Sequence, residues 1–207
     1  MNKRTKVRKR IEGIGLSTCL LLFFLTGCGE TTLQNGANLE LERDGGVTVT
    51  YIEEFPADYY DLNELIVMNQ EEVDAYNAKA GKDAVEVIST ETDGSTITLV
   101  MHYKNADDYG NMNGGFLYQG SVAQGQSAGY DLDYSFMDVS TKEAVADMNW
   151  DELQKRHLVV AKGSSDSYEA AIHTYKKILY ATDNVTVSED GKTAVIKGSE
   201  PSVIVFK

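Results

Sequence analysis

Cysteine is nearly absent from this chain: there are two in 207 residues, Cys19 and Cys28. Residues 29–207 contain none, so no disulfide can brace that stretch, and its stability has to come from an apolar core. Proline is as scarce, again two residues. No low-complexity linker divides the chain, which argues for one domain of ordinary size over several. Histidine occurs three times, as His102, His157 and His173. None stands in an H-E-x-x-H pattern or beside a cysteine, so a zinc site with nitrogen and sulfur ligands is not expected. Positive charge is also short, 19 basic against 32 acidic residues.

The basic residues that do exist are unevenly spread. Lys3, Arg4, Lys6, Arg8, Lys9 and Arg10 crowd the first ten positions, with no acid before Glu12. An apolar run follows from Ile14 to Leu25. A basic start and a short apolar segment are the layout of an export signal. At 12 residues the run is well short of the ~20 needed to span a bilayer. Leu25-Thr26-Gly27-Cys28 then resembles the lipobox of bacterial lipoproteins. The resemblance implies cleavage before Cys28 and a diacylglyceryl group on its sulfur. Two acyl chains anchor stably where one is marginal.

The expected organisation is therefore a signal peptide over 1–27, a lipidated cysteine and polar tether over 28–36, and a single α+β domain over 37–207. A division into two subdomains near 130–165 is the alternative. From Cys28 onward the balance is 13 basic against 31 acidic residues, a net charge of −18. Nucleic acid is not an expected partner, because its binding rests on Lys and Arg neutralising phosphates. Lying flat on an anionic membrane is disfavoured for the same reason. Metal ions, basic peptides and basic protein surfaces remain open as partners. Solubility and colloidal repulsion account for the acidity equally well.

Hydrophobic periodicity supplies the elements. Leu39 and Leu41 alternate with acids, Asp44-Gly45-Gly46 turns the chain, and 47–51 alternates again, which reads as a hairpin. From about 61 to 80 the period becomes helical. Asp61 and Glu64 suit a capping box, Leu62, Leu65, Ile66, Val73 and Tyr76 share a face that Ala80 extends, and Gly81 suits the C-terminal end. A second hairpin spans 85–103. A short helix fits 105–111, a strand fits 116–119, and 121–130 suits a helical turn or a loop. Asn149 and Glu152 can cap a short helix, and 157–161 reads as a strand. Residues 168–180 fit a helix or a strand pair broken at Lys176-Lys177. Strands at 184–188, 193–197 and 202–206 close the chain. The expected fold class is α+β: a mainly antiparallel sheet, one long amphipathic helix (61–80) packed on it, and a strand-rich C-terminal part.

Several patterns carry possible chemistry. Gly125-Gln126-Ser127-Ala128-Gly129 matches G-x-S-x-G, which makes Ser127 a candidate hydrolase nucleophile with His157 or His173 as base. The pattern works when a buried strand feeds the turn and a helix follows, and here 121–124 is not a buried strand. Asp131 and Asp133, or Glu53, Glu54, Asp58 and Asp61, could offer oxygen ligands to Ca²⁺ without EF-hand spacing. A solvated acidic face explains them as well. The glycine-rich 110–115 stretch lacks the Lys-Ser/Thr of a phosphate loop. The tyrosines suit sheet–helix junctions with the hydroxyl at the edge, or a binding surface. No cofactor is implied.

Glu53-Glu54-Phe55, Tyr59-Tyr60-Asp61, Ala75-Tyr76-Asn77 and Ile178-Leu179-Tyr180 resemble a group of uncharacterised lipoproteins of gut-dwelling Firmicutes. That resemblance implies an envelope location and an α+β fold, and it brings no catalytic residues. The expectation is thus a lipid-anchored, extracytoplasmic binding or interaction module, held to the membrane through Cys28, with an envelope protein or small ligand as partner. A serine hydrolase using Ser127 and a Ca²⁺-binding envelope protein are the alternatives.

Overall fold

A computed structural model describes residues 33–54 and 62–207. The expected export signal, Cys28 and most of the expected tether, and the residues 55–61 with Asp58 and Asp61, lie outside the described residues. In chain order the elements are β1 (Gly36–Leu41), β2 (Val47–Glu54), α1 (Leu62–Ala80), β3 (Val85–Asp93), β4 (Thr96–Tyr103), α2 (Ala106–Asn113), β5 (Phe116–Ser121), α3 (Val122–Ser127), β6 (Phe136–Asp138), β7 (Glu143–Val145), α4 (Trp150–Leu153), β8 (His157–Lys162), β9 (Glu169–His173), β10 (Ile178–Thr182), β11 (Thr186–Val187), β12 (Thr193–Lys197) and β13 (Ser202–Phe206).

The strands form two sheets. The first has the order β11-β12-β9-β1-β2-β4-β3, and the second β5-β8-β13-β10-β6-β7. Pairing is antiparallel throughout except between β1 and β9, which run parallel with Ala37 opposite Ala170 and Glu40 opposite His173. The main core is the space between the sheets. Leu39, Val49, Met101 and Ile172 of the first sheet meet Leu117, Val159, Ile204 and Phe206 of the second. A second apolar cluster covers the opposite face of the second sheet, where Leu158, Val160, Val203 and Val205 pack against Val122, Leu132 and Phe136. With both faces covered, β8 and β13 carry unbroken apolar runs, LVVA and VIVF, as buried strands do.

This architecture overturns the expected one. The core is made by sheet against sheet, and no long helix lies packed across a sheet. Residues 62–80 are helical, but of the described side chains only Val73 is buried, while Ile66, Val67 and Met68 are exposed at 38%, 54% and 52%. The physical reason is in the stripe itself: between Ile66 and Val73 the inward-facing position is Asn69, with Glu72 beside it. Such a stripe is too thin to cover a sheet, whereas the strand-rich C-terminal part supplies a full apolar face. The helix is fastened by its C-terminal half. The Asn77 amide donates to the Val85 carbonyl at 2.8 Å and accepts from the Val85 N–H at 2.9 Å. Tyr76 Oη donates to Asp108 at 3.0 Å, and Gly81, at φ +120°, ends the helix. The segment 168–180 is a strand pair, β9 and β10.

A buried polar network ties α2 to the first sheet. Tyr51 Oη donates to Asn113 Oδ1 at 2.9 Å and lies 3.2 Å from Tyr103 Oη. Tyr109 and Tyr168 share a hydroxyl contact of 2.6 Å. Burial raises the pKa of all four phenols, so they stay neutral and act as hydrogen-bonding core.

Candidate functional site

The parallel pairing of β1 with β9 determines which residues meet at each end of the sandwich. Both strands finish at the same end, so Arg43, just after β1, and Tyr175, just after β9, leave the first sheet side by side. The antiparallel β12 begins there with Thr193 opposite His173. In the second sheet, Phe206 at the end of β13 lies opposite His157 at the start of β8, which in turn faces Ser121 at the end of β5. We call this end the far pole, because Gly36, the first residue of β1, lies at the other end opposite Ile52.

At the far pole four side chains form a stack. The His157 ring lies on Phe206 at 4.8 Å and 23°. Tyr175 meets Phe206 edge-on at 5.1 Å, and its hydroxyl is 3.0 Å from His157 Nδ1. The Arg43 guanidinium sits 5.6 Å from the centre of the Tyr175 ring, a cation–π distance. Burial pushes the His157 pKa below its ordinary value, and the nearby Lys176 charge pushes it further down, so the imidazole is neutral at pH 7. Burial raises the Tyr175 pKa, opposed by Arg43. A phenol moved upward is a poor nucleophile or base at neutral pH, so the stack suits recognition better than proton transfer. Under it, Gln119 Nε2 donates to the Glu42 carbonyl at 2.6 Å, tying the second sheet to the first. Its Oε1 is buried without a hydrogen-bond partner among the described residues.

Lysine backbones lie beside the stack. The Thr174 hydroxyl donates to the carbonyls of Lys176 at 2.7 Å and Lys192 at 2.9 Å, and the Lys207 N–H donates to the Lys177 carbonyl at 3.0 Å. Four lysine backbones are therefore fixed within one hydrogen-bonded patch. Among the described residues the only ion pairs are Lys197 with Glu169 at 3.0 Å and His102 with Glu42 at 3.5 Å.

The residues singled out by motif lie elsewhere. Ser127 is the exposed last residue of α3, and its hydroxyl donates to the Ala123 carbonyl at 2.8 Å. The flanking glycines have structural reasons. A Cβ on Gly125 would collide with Leu158 Cδ2, and Gly129 turns the chain at φ +82°. His157 lies on the opposite face of the second sheet from α3, and His173 belongs to the first sheet, bonded through Nδ1 to the Thr193 hydroxyl at 3.1 Å. Its Nε2 is buried without a partner among the described residues.

Asp131 Oδ1 accepts the Asp133 N–H at 2.9 Å, and both residues are exposed in a turn. Glu53 and Glu54 are exposed at the end of β2, while Asp58 and Asp61 lie outside the described residues. Among the described residues no group of three or more His, Cys, Asp or Glu is placed to hold a metal ion, and no helix is long and apolar enough to cross a membrane. An open depression of about 410 Å³ is lined by Asp147, Met148, Asn149, Trp150 and Asp151. Trp150 closes it against Phe136, with ring centres 5.4 Å apart.

Reading along the chain missed Arg43, Tyr175, Lys176, Lys177 and Phe206 as a group, since 163 residues separate the first from the last. The available signal was Lys176-Lys177, a charged break between two apolar runs. Comparison with protein-family models, with curated proteins and with solved structures finds no match for this chain.

Proposed function

We propose that this protein is a lipid-anchored, extracytoplasmic binding module of the cell envelope, held through Cys28 and presenting its far pole away from the membrane. One observation carries the reading: the stack of Arg43, Tyr175, His157 and Phe206 lies at the end of the sandwich opposite Gly36. Cys28 precedes Gly36 by eight residues, and eight residues reach at most about 28 Å. An anchor at Cys28 keeps the Gly36 end near the lipid and leaves the opposite end free. The Ser127 geometry favours binding over hydrolysis, because its hydroxyl is engaged with a carbonyl and no histidine is among its hydrogen-bond partners.

Two measurements test this. Mass spectrometry of the N-terminal peptide from cell membranes is expected to show diacylglyceryl on Cys28, and Cys28→Ala is expected to release the protein from the membrane fraction. An unmodified Cys28 sinks the anchor. Thermal unfolding of the full chain with a panel of sugars, muropeptides, amino acids, peptides and anions is expected to reveal a stabilising ligand. At 100 times its Kd it adds about 2.7 kcal/mol, and Arg43→Ala or Tyr175→Ala removes the shift. A ligand shift that survives both substitutions places binding elsewhere and refutes the far pole as the site.

A further inference from the structure

Five glycines directly follow Asp or Asn: Asn35-Gly36, Asp44-Gly45, Asp93-Gly94, Asn113-Gly114 and Asp190-Gly191. A glycine in that place leaves its backbone nitrogen unshielded, because it has no Cβ. Such a nitrogen can attack the side-chain carbonyl of the preceding residue and close a five-membered ring. Asn is the better target: its amide is uncharged and can release ammonia, whereas an ionised carboxylate resists attack. Two of the three Asp are also occupied, Asp44 by the Gly46 N–H at 3.2 Å and Asp190 by the Lys192 N–H at 2.7 Å. The chemistry narrows to Asn35 and Asn113.

The fold treats these two differently. Asn113 is held inside the tyrosine network. Its Oδ1 accepts from Tyr51 Oη at 2.9 Å, and its Nδ2 donates to Tyr103 Oη at 3.1 Å and to the Tyr109 carbonyl at 2.9 Å. Swinging its Cγ toward the Gly114 nitrogen breaks all three bonds. Asn35 lies exposed at a bend, and its side chain has no hydrogen-bond partner among the described residues. Gly36 is the first rung of β1, with φ at +94°, and terminal rungs fray at almost no cost. The chain on both sides of this pair is clasped by Asn38, which is 2% exposed. Asn38 Oδ1 accepts the Gln34 N–H at 3.0 Å, and its Nδ2 donates to the carbonyls of Gln34 at 2.7 Å and Gly36 at 3.3 Å.

We infer that Asn35 is a site of spontaneous modification, deamidating through a succinimide, and that the isoaspartate formed there unfastens the chain before Gly36 from the first sheet. The inference is independent of what the far pole binds. The Gly36 nitrogen loses its proton to solvent and attacks Asn35 Cγ. A new C–N bond forms, the bond from Cγ to the side-chain nitrogen breaks, and ammonia leaves with a proton from water. Water then opens the ring. Opening at Cγ gives aspartate. Opening at the main-chain carbonyl gives isoaspartate, whose backbone runs through Cβ and Cγ. The path from Gln34 to Gly36 then gains one carbon, and a negative charge stands where an amide was. Asn38 grips both ends of that path with one side chain, so the added length takes Gln34 out of register. No core contact is touched, because Asn35 is exposed.

The test incubates the full-length protein in detergent micelles at pH 8 in heavy-oxygen water and maps its peptides by mass spectrometry. Position 35 is expected to take up heavy oxygen and to resolve into aspartate and isoaspartate, at least tenfold faster than position 113. In urea, position 113 is expected to approach the rate of position 35. Asn35→Gln, whose ring would have six members, is expected to remain unmodified. No label at position 35, or equal rates at the two positions in the folded protein, overturns the assignment. A position 113 that stays slow in urea overturns the fold as the source of the difference. Amide hydrogen exchange by NMR then tests the unfastening. The Gln34 N–H is expected to lose protection in the isoaspartate form and to keep it in Asn35→Asp, with the same melting temperature for both. Protection that survives in the isoaspartate form overturns the unfastening, and equal loss in Asn35→Asp overturns the added carbon as its cause.

Discussion

The Tyr109 hydroxyl is the clearest case of a polar group retained inside the core. Its ring is 3% exposed and meets Tyr103 edge-on at 5.3 Å, so Tyr109→Phe keeps the packing and deletes only the contact with Tyr168. Tyr168 Oη then loses a partner in a half-buried setting. The expected cost is about 1–2 kcal/mol, read from urea unfolding. An unchanged midpoint would mean that water satisfies both hydroxyls already. The same network explains what was legible at this scale. Tyrosines at strand and helix ends suggested core rings with hydroxyls at an edge, but nothing in the spacing told that Tyr51, Tyr103, Tyr109 and Tyr168 would find one another across one sheet and a helix. Gly125 and Gly129 make the converse point. Their letters matched a nucleophile motif, while their positions answer to Leu158 and to a left-handed turn.

Among the elements, α1 separates helix formation from helix packing. Local preference and periodicity suffice to make residues 62–80 helical, and the boundaries follow from the pattern within a residue. Whether the stripe has a surface to cover depends on a sheet assembled from residues 116–206, which no local window contains. Val73→Ala is therefore expected to cost about 2 kcal/mol, whereas Val67→Ala, at an exposed position of the same helix, is expected to stay within 0.5 kcal/mol. Equal effects of the two in denaturant titrations would contradict the described packing. The strands were more readable than the helix. Asp-Gly-Gly and Asp-Gly turns with alternating flanks mark both hairpins, and the unbroken runs of β8 and β13 signal strands covered on two faces. Their grouping into two sheets is tertiary, and so is the meeting of Arg43, His157, Tyr175 and Phe206.

For the whole molecule, pH reports on the two histidines held neutral. Burial lowers the pKa of His157, helped by Lys176, and that of His173, opposed by Asp190. The unfolded chain, with histidines near 6.5, binds protons that the folded chain refuses. Stability is then fully present above about pH 6.5 and is lost as pH falls from there through the folded-state values. The melting temperature is expected to drop between pH 7 and 5, and His157→Asn with His173→Asn to flatten that slope. A second loss is expected below pH 4. The Asp138 carboxylate is held low chiefly by the Ser140 hydroxyl. Burial alone would raise Asp190, but hydrogen bonds from Ser188, Lys192 and Thr193 outweigh it.

The parallel join between β1 and β9 also sets a schedule. Ala37 waits for Ala170, 133 positions later in the chain. During that interval β1 to β4 can pair among themselves, but the β1 edge stands open with its backbone groups unanswered. The first strand of the described residues is thus closed by the ninth, and a product cut short before residue 169 would leave that edge open. For this chain, arrival of residues 169–173 and silence of that edge are the same event.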